Sequence, residues 1–211
     1  MRQRAWYVAV AMLASVLAGC GAGTTGHSTR PCRAGALALG YGPRLIPMTE
    51  EHGDWYKLIN RGPSACVLDG YPTVTLYRKG GTRLRFHYTN GPSQFITGAP
   101  PHAVVVRPGA SAWVLIAKNS CILRSDQSAA VIRITLPGQR HVSLSGRTAG
   151  GAAGVSDLDH CHDPHDPGQT VAVSPIEPTR QATTPLGGRP GLTAAGEKSS
   201  YCPARFRGPA G

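Results

Sequence analysis

Turn-forming dipeptides cut this chain into segments too short for ordinary helices. Lys79-Gly80-Gly81-Thr82, Pro108-Gly109 and Pro137-Gly138 each separate two apolar-rich runs, and glycine there accepts the positive φ of a tight turn. Residues 73–77 alternate Thr/Val/Thr/Leu/Tyr and 84–88 alternate Leu/Arg/Phe/His/Tyr, with the first turn expected to join them as a hairpin. Residues 103–107 and 111–117 flank the second turn, 131–136 and 141–144 the third. A further run, 56–60, is closed by Asn60-Arg61-Gly62-Pro63, and 170–174 ends at Pro175. No segment sustains a helical period. Glycine and proline are abundant (27 and 18) while phenylalanine and tryptophan number three each, which favours short strands and many turns. Seven to nine such strands over roughly 145 residues suggest a two-sheet β-sandwich.

The N-terminus carries a different signal. Arg2 and Arg4 precede an apolar run over 5–17, then Leu17-Ala18-Gly19-Cys20. A basic start and a short apolar stretch make an export signal, and a membrane-spanning helix needs roughly 20 apolar residues. Small residues directly before a cysteine are what a lipoprotein-processing peptidase reads. The expectation is a signal peptide over 1–19, a diacylglyceryl thioether on Cys20 and a polar tether over 20–30. The protein is then expected outside the cytoplasm, anchored to the cell membrane as a lipoprotein. The sandwich domain is expected over 31–178. Residues 148–157 read as a flexible loop, and the Pro-, Gly-, Thr- and Arg-rich segment 179–211 as a disordered tail.

Basic residues outnumber acidic ones 22 to 11, and lysine stands only at Lys57, Lys79, Lys118 and Lys198. The positives are scattered singly among strands and turns and follow an export signal, so no nucleic-acid partner is expected. An anionic membrane or wall polymer is the more sensible partner for a basic surface; an exported protein is another. Of six cysteines, Cys20 is assigned to lipid. The five that remain suffice for two bridges and one odd thiol, with the pairing open. None has C-x-x-C spacing, which gives no support to a zinc knuckle or a redox motif.

The pattern Asn60-x-Gly62-x-x-x-Cys66-x-Leu68-x-Gly70-Tyr71-Pro72 is followed by Pro108-Gly109-x-Ser111-Ala112, by Cys121, and by Cys161 ahead of Val171-x-Val173-Ser174-Pro175. It resembles the bacterial domain of unknown function 4232, found in exported proteins and lipoproteins of high-GC Gram-positive bacteria. The resemblance implies an immunoglobulin-like antiparallel β-sandwich with disulfides Cys32–Cys66 and Cys121–Cys161, and no reaction. Two features depart from it. His162-Asp163-Pro164-His165-Asp166-Pro167 stands where a glycine-rich stretch is usual, and the tail with Cys202 lies outside the pattern.

His160, His162 and His165, with Asp157, Asp159, Asp163 and Asp166, form the densest polar cluster. Imidazole and carboxylate suit Zn²⁺ or Cu²⁺, so His160, His162, His165, Asp159 and Asp163 are the candidate ligands of a weak metal site; a solvated acidic loop is the plainer reading. No cofactor is otherwise implied. The sequence has no Gly-x-Ser-x-Gly elbow, His-Glu-x-x-His helix or Ser-x-x-Lys box, and no catalytic residue is assigned. Trp55 and Trp113 suit a sugar-stacking platform, with burial in the sandwich core as the plainer reading. The expected function is therefore a non-catalytic binding module at the cell envelope, with a metal-handling lipoprotein using residues 157–166 as the alternative.

Overall fold

The computed structural model describes residues 30–45, 51–140, 143–148 and 158–185. The signal peptide, Cys20, most of the tether, residues 149–157 with Asp157, and the chain from 186 on with Cys202 lie outside the described residues.

Among the described residues there are twelve strands. In chain order they are β1 (Leu37–Leu45), β2 (Glu51–Asn60), β3 (Cys66–Leu68), β4 (Thr73–Arg78), β5 (His87–Asn90) and β6 (Val104–Val106). They continue with β7 (Ser111–Asn119), β8 (Ser125–Gln127), β9 (Ala129–Thr135), β10 (Ser143–Arg147), β11 (His160–Cys161) and β12 (Thr170–Val173). One sheet has the order β1-β2-β7-β12-β5 and a second β10-β9-β4; β3 pairs with β6, and β8 with β11. The two larger sheets face each other across one core. Tyr56, Leu58, Val114, Ile116, Val171 and Val173 of the first meet Val74, Leu76, Ile132, Ile134 and Leu144 of the second. The chain is thus an all-β sandwich.

Strand β7 shows how burial selects sequence. It is central, and its run Ala-Trp-Val-Leu-Ile-Ala is covered on both faces. Val114 and Ile116 enter the inner core, while Leu115 and Ala117 join a second cluster on the outer face. A strand buried on both faces reads as a continuous apolar run. The outer cluster adds Leu45, Trp55, Phe95, Ile96 and Ala172. Trp55 is buried there and Trp113 half-buried, with Lys57 Nζ 4.9 Å from the Trp113 ring centre. Both tryptophans therefore belong to the outer cluster and not to the sandwich core where they were expected.

What covers that outer face includes chain expected to be tail. Gln181–Thr183 forms a 3-10 turn, and Thr183 is fully buried. Trp55 Nε1 donates to Thr183 Oγ1 at 2.9 Å, and Thr97 N donates to Thr183 O at 2.9 Å. The ordered domain thus extends past Pro178, at least to Pro185. Composition hid this, because a few well-placed polar contacts and not an apolar run hold the segment.

The hairpin expectations hold in part. β9 and β10 pair antiparallel across Pro137-Gly138. Around Gly80 and Gly81, both at positive φ, Arg78 N donates to Thr82 O at 3.0 Å and Tyr77 bridges Arg83. The chain then leaves that sheet, and β5 pairs parallel with β12, the one departure from an antiparallel scheme among the described strands. Likewise β6 and β7 do not pair across Pro108-Gly109: β6 joins β3, and β7 joins β2 and β12. Asn60 pins that corner. It is fully buried; its Nδ2 donates to Ser64 O (2.8 Å) and Val106 O (2.9 Å), and its Oδ1 accepts from Gly62 N (2.9 Å).

The disulfides are Cys32–Cys66 and Cys121–Cys161, separated by 34 and 40 residues. Loops of that length correspond to stabilisation on the order of 3–4 kcal/mol each in the chain-entropy picture. The first ties the N-terminal entry to β3. The second ties the end of β7 to β11, at the end of the sandwich where the site lies.

Candidate binding cleft

Between the turn after β4 and the start of β5 the chain alternates. Leu84 and Phe86 are buried in the core, while Arg83, Arg85 and His87 are exposed. Core burial of the two apolar residues thus forces three basic residues onto one outward row. With Arg78 they form one wall of a half-open cleft of about 540 Å³. The opposite wall is the disulfide-tied unit of β8, β11 and the 3-10 turn Pro167–Gln169, which contributes Gln127, His160, Pro164 and Gln169.

That second wall is built tightly. Asp166 caps the 3-10 turn, its Oδ1 accepting from Gly168 N and its Oδ2 from Ile122 N, both at 2.8 Å. A Cβ on Gly168 would stand 2.7 Å from Cys161 Sγ and 2.8 Å from Asn119 O, so only glycine fits this approach. Gln169 is buried and holds both backbone groups of Cys161: its Nε2 donates to Cys161 O at 3.0 Å, and its Oε1 accepts from Cys161 N at 3.3 Å. His160 stands edge-on to Phe86, ring centres 5.2 Å apart. Its Nε2 lies 3.2 Å from the carbonyl oxygen of Arg85 and 3.2 Å from Gln169 Nε2. His160 thereby joins the two walls. On the other side of the contact network, Tyr88 packs edge-on to Phe86, its Oη accepts from Leu76 N at 3.1 Å, and burial above all pushes the Tyr88 hydroxyl up to about 12.

The cleft is basic. Among the described residues no aspartate or glutamate lines it, and no carboxylate pairs with Arg78, Arg83 or Arg85. Two acids of the neighbouring loop are engaged by backbone amides. Asp163 Oδ1 accepts from His165 N at 2.8 Å, and Asp166 is spent on its two amides. His162 Nδ1 meets Asp126 Oδ1 at 2.8 Å. The structure therefore does not gather the candidate metal ligands: His160 faces the cleft, His162 faces Asp126, and Asp163 turns back on its own loop. Among the described residues no three His, Cys, Asp or Glu side chains are grouped to hold an ion.

Two other polar features are structural in character. Tyr41 Oη donates to the fully buried Asp54 Oδ1 at 2.9 Å, with Arg44 Nε 3.9 Å from the same oxygen. This pins the bulge of β1 onto β2, and burial together with the Asp54 charge raises the Tyr41 hydroxyl well above its ordinary range. A second cleft of about 430 Å³ beside Cys32 is lined by Val67, Leu68 and Pro137, with Asp69 as its one ionisable side chain.

Sequence reasoning missed the arginine wall. The alternation over 84–88 was legible, but the charges were read as scattered. The signal was that alternate residues from 83 to 87 are all basic, around the apolar Leu84 and Phe86.

Fold and site together define a disulfide-braced all-β domain with a preformed basic cleft at one end. The chain belongs to the family described as domain of unknown function (DUF4232), which matches residues 32–177, more than half of its length. No curated protein and no solved structure matches it.

Proposed function

We propose that this protein is a non-catalytic binding module of the cell envelope, held at the outer face of the membrane by a lipid on Cys20, with the cleft between residues 78–87 and 160–169 as its binding site. One observation carries the reading: guanidinium, imidazole and amide groups converge around Leu84, Phe86 and Pro164 in one cleft, on a disulfide-tied end of a sandwich. Sandwich folds commonly present recognition surfaces at such ends, and a cleft of a few hundred Å³ with convergent polar groups is the usual form of a ligand site.

Photocrosslinking in intact cells tests this. A photoreactive residue at Thr82, exposed on the rim of the cleft, captures an envelope component that the same residue at Arg107, at the opposite end of the sandwich, does not. Equal capture at both positions, or none at Thr82, removes the cleft as the site. Anchoring has its own test: Cys20→Ser moves the protein out of the membrane fraction, and an unchanged distribution is evidence against the lipid.

A further inference from the structure

We infer that the cleft takes an extended polyanion, a stretch of polymer bearing phosphodiester or carboxylate groups, and not a neutral glycan or one small anion. The inference rests on the cleft being the binding site and goes beyond it by naming the ligand's chemistry.

Three observations carry it. Arg78, Arg83 and Arg85 line one cleft, and none is neutralised by a carboxylate among the described residues. Like charges so placed repel, and a bound anion relieves that repulsion where bare solvent does so only by screening. Guanidinium is also the group that grips phosphate or carboxylate oxygens in pairs.

Second, the charges form a row. Arg83, Arg85 and His87 stand at alternate positions around the buried Leu84 and Phe86, and together with Arg78 they line the cleft, so its positive charge is spread over several side chains. A single phosphate reaches one or two such side chains, whereas successive charges on a polymer reach the whole row.

Third, the opposite wall offers little to a neutral sugar. Gln169 spends its amide on Cys161 and His160 directs Nε2 at Arg85 O. Beyond the apolar lining of Leu84, Phe86 and Pro164, what the cleft offers a ligand is positive charge. Of the acids in the adjoining loop, Asp166 is buried and held by two backbone amides, and among the described residues none lines the cleft.

The test uses the purified full chain and five probes: long-chain polyphosphate, polygalacturonate, neutral dextran, inorganic phosphate, and phosphatidylglycerol vesicles. At least one of the two polyanions is expected to bind, with affinity falling roughly tenfold or more between about 50 and 200 mM salt through release of counterions. Arg83→Glu with Arg85→Glu weakens that binding at least about tenfold, while Arg61→Glu with Arg107→Glu, an equal change of charge at the far end, leaves it within about twofold. Thermal melts of both double variants confirm that they fold.

Equal losses in the two double variants would mean that net charge binds and the cleft does not. Displacement of polymer by an equal charge of inorganic phosphate would reduce the site to a single-anion pocket. Vesicles bound in preference to both polyanions would make the partner a membrane surface. Each result overturns the inference, as does failure of both polyanions to bind. Dextran binding that ignores salt but is lost in Arg83→Glu/Arg85→Glu would also overturn it, yet leave the cleft standing as the binding site.

Discussion

Gln169 closes both backbone polar groups of Cys161, donating to its carbonyl at 3.0 Å and accepting from its N–H at 3.3 Å. One buried side chain thus completes a two-residue strand that is too short to satisfy itself. The same amide lies 3.2 Å from the imidazole of His160, on the cleft wall. Integrity of the wall and packing of the disulfide are therefore one problem.

Gln169→Ala is expected to strand the buried N–H and C=O of Cys161. An unsatisfied buried polar group costs about 1–3 kcal/mol, and a loss near 2 kcal/mol in urea unfolding is the expected outcome. Hydrogen exchange should rise in 158–169 before the core strands. An unchanged unfolding midpoint would show that water replaces the amide and that the wall is not rigid.

The segment from Thr179 to Pro185 acts as a strap over the outer cluster. Thr183 receives the indole N–H of Trp55 and gives its own hydroxyl to Arg180 O at 2.6 Å, while the Arg180 guanidinium lies 5.3 Å over the Trp55 ring. Thr183→Val keeps the shape and removes the acceptor, at a cost of about 1–3 kcal/mol. A chain ending at Pro178 should lose more and shift tryptophan emission to the red as Trp55 meets water. Identical melting of the shortened and full chains would mean that the strap contributes nothing.

Legibility followed locality. Strands β4, β7 and β9 were readable because their alternation or apolar runs are self-contained, and the turn at Gly80-Gly81 because its chemistry is local. Strand β1 was not, since Gly40, Gly42 and Pro43 break its pattern. The reason for Gly42 lies elsewhere in the chain: a Cβ there would come within 2.9 Å of Trp55 and Trp113 atoms. The parallel pairing of His87 with Thr170 joins positions far apart in sequence, and no local period announces it. The cleft inherits this. Its arginine row is written in the strand period, whereas the wall that makes it a cleft depends on Cys161, Gly168 and Gln169. The pairing Cys121–Cys161 came from family resemblance, not from spacing.

Glu177 sets a pH dependence. Its carboxylate is buried, Oε1 has no hydrogen-bond partner, and Oε2 lies 3.7 Å from His102 Nε2. Burial holds its carboxyl above the usual value of 4.5, with His102 pulling weakly the other way. Glu51 is shifted in the same direction by burial, offset in part by Ser93. A carboxyl that keeps its proton better folded than unfolded binds more protons in the native state. Stability therefore falls as pH rises from about 4.5 through the raised folded value, and the penalty vanishes below that window. Glu177→Gln should be more favourable relative to the parent at about pH 7.5 than at about pH 4. Urea unfolding at the two values checks it, and a pH-independent difference would mean that Glu177 does not titrate this way.

The loop over 158–167 makes the last prediction, because its composition argues for metal and its geometry does not. Binding Zn²⁺ or Cu²⁺ there would require the loop to bring together side chains that now point apart: His160 lies against Arg85 O, His162 against Asp126, and Asp163 against His165 N. That rearrangement of a loop tied by Cys121–Cys161 has to be made before three ligand bonds can form. High micromolar Zn²⁺ or Cu²⁺ is therefore expected to leave the melting temperature unchanged. The measurement is sensitive, since a ligand at a hundredfold its Kd stabilises by about 2.7 kcal/mol. A rise in melting temperature that is abolished by His160→Ala, His162→Ala and His165→Ala together would show that the loop rearranges around an ion, and would put metal handling ahead of the polyanion cleft.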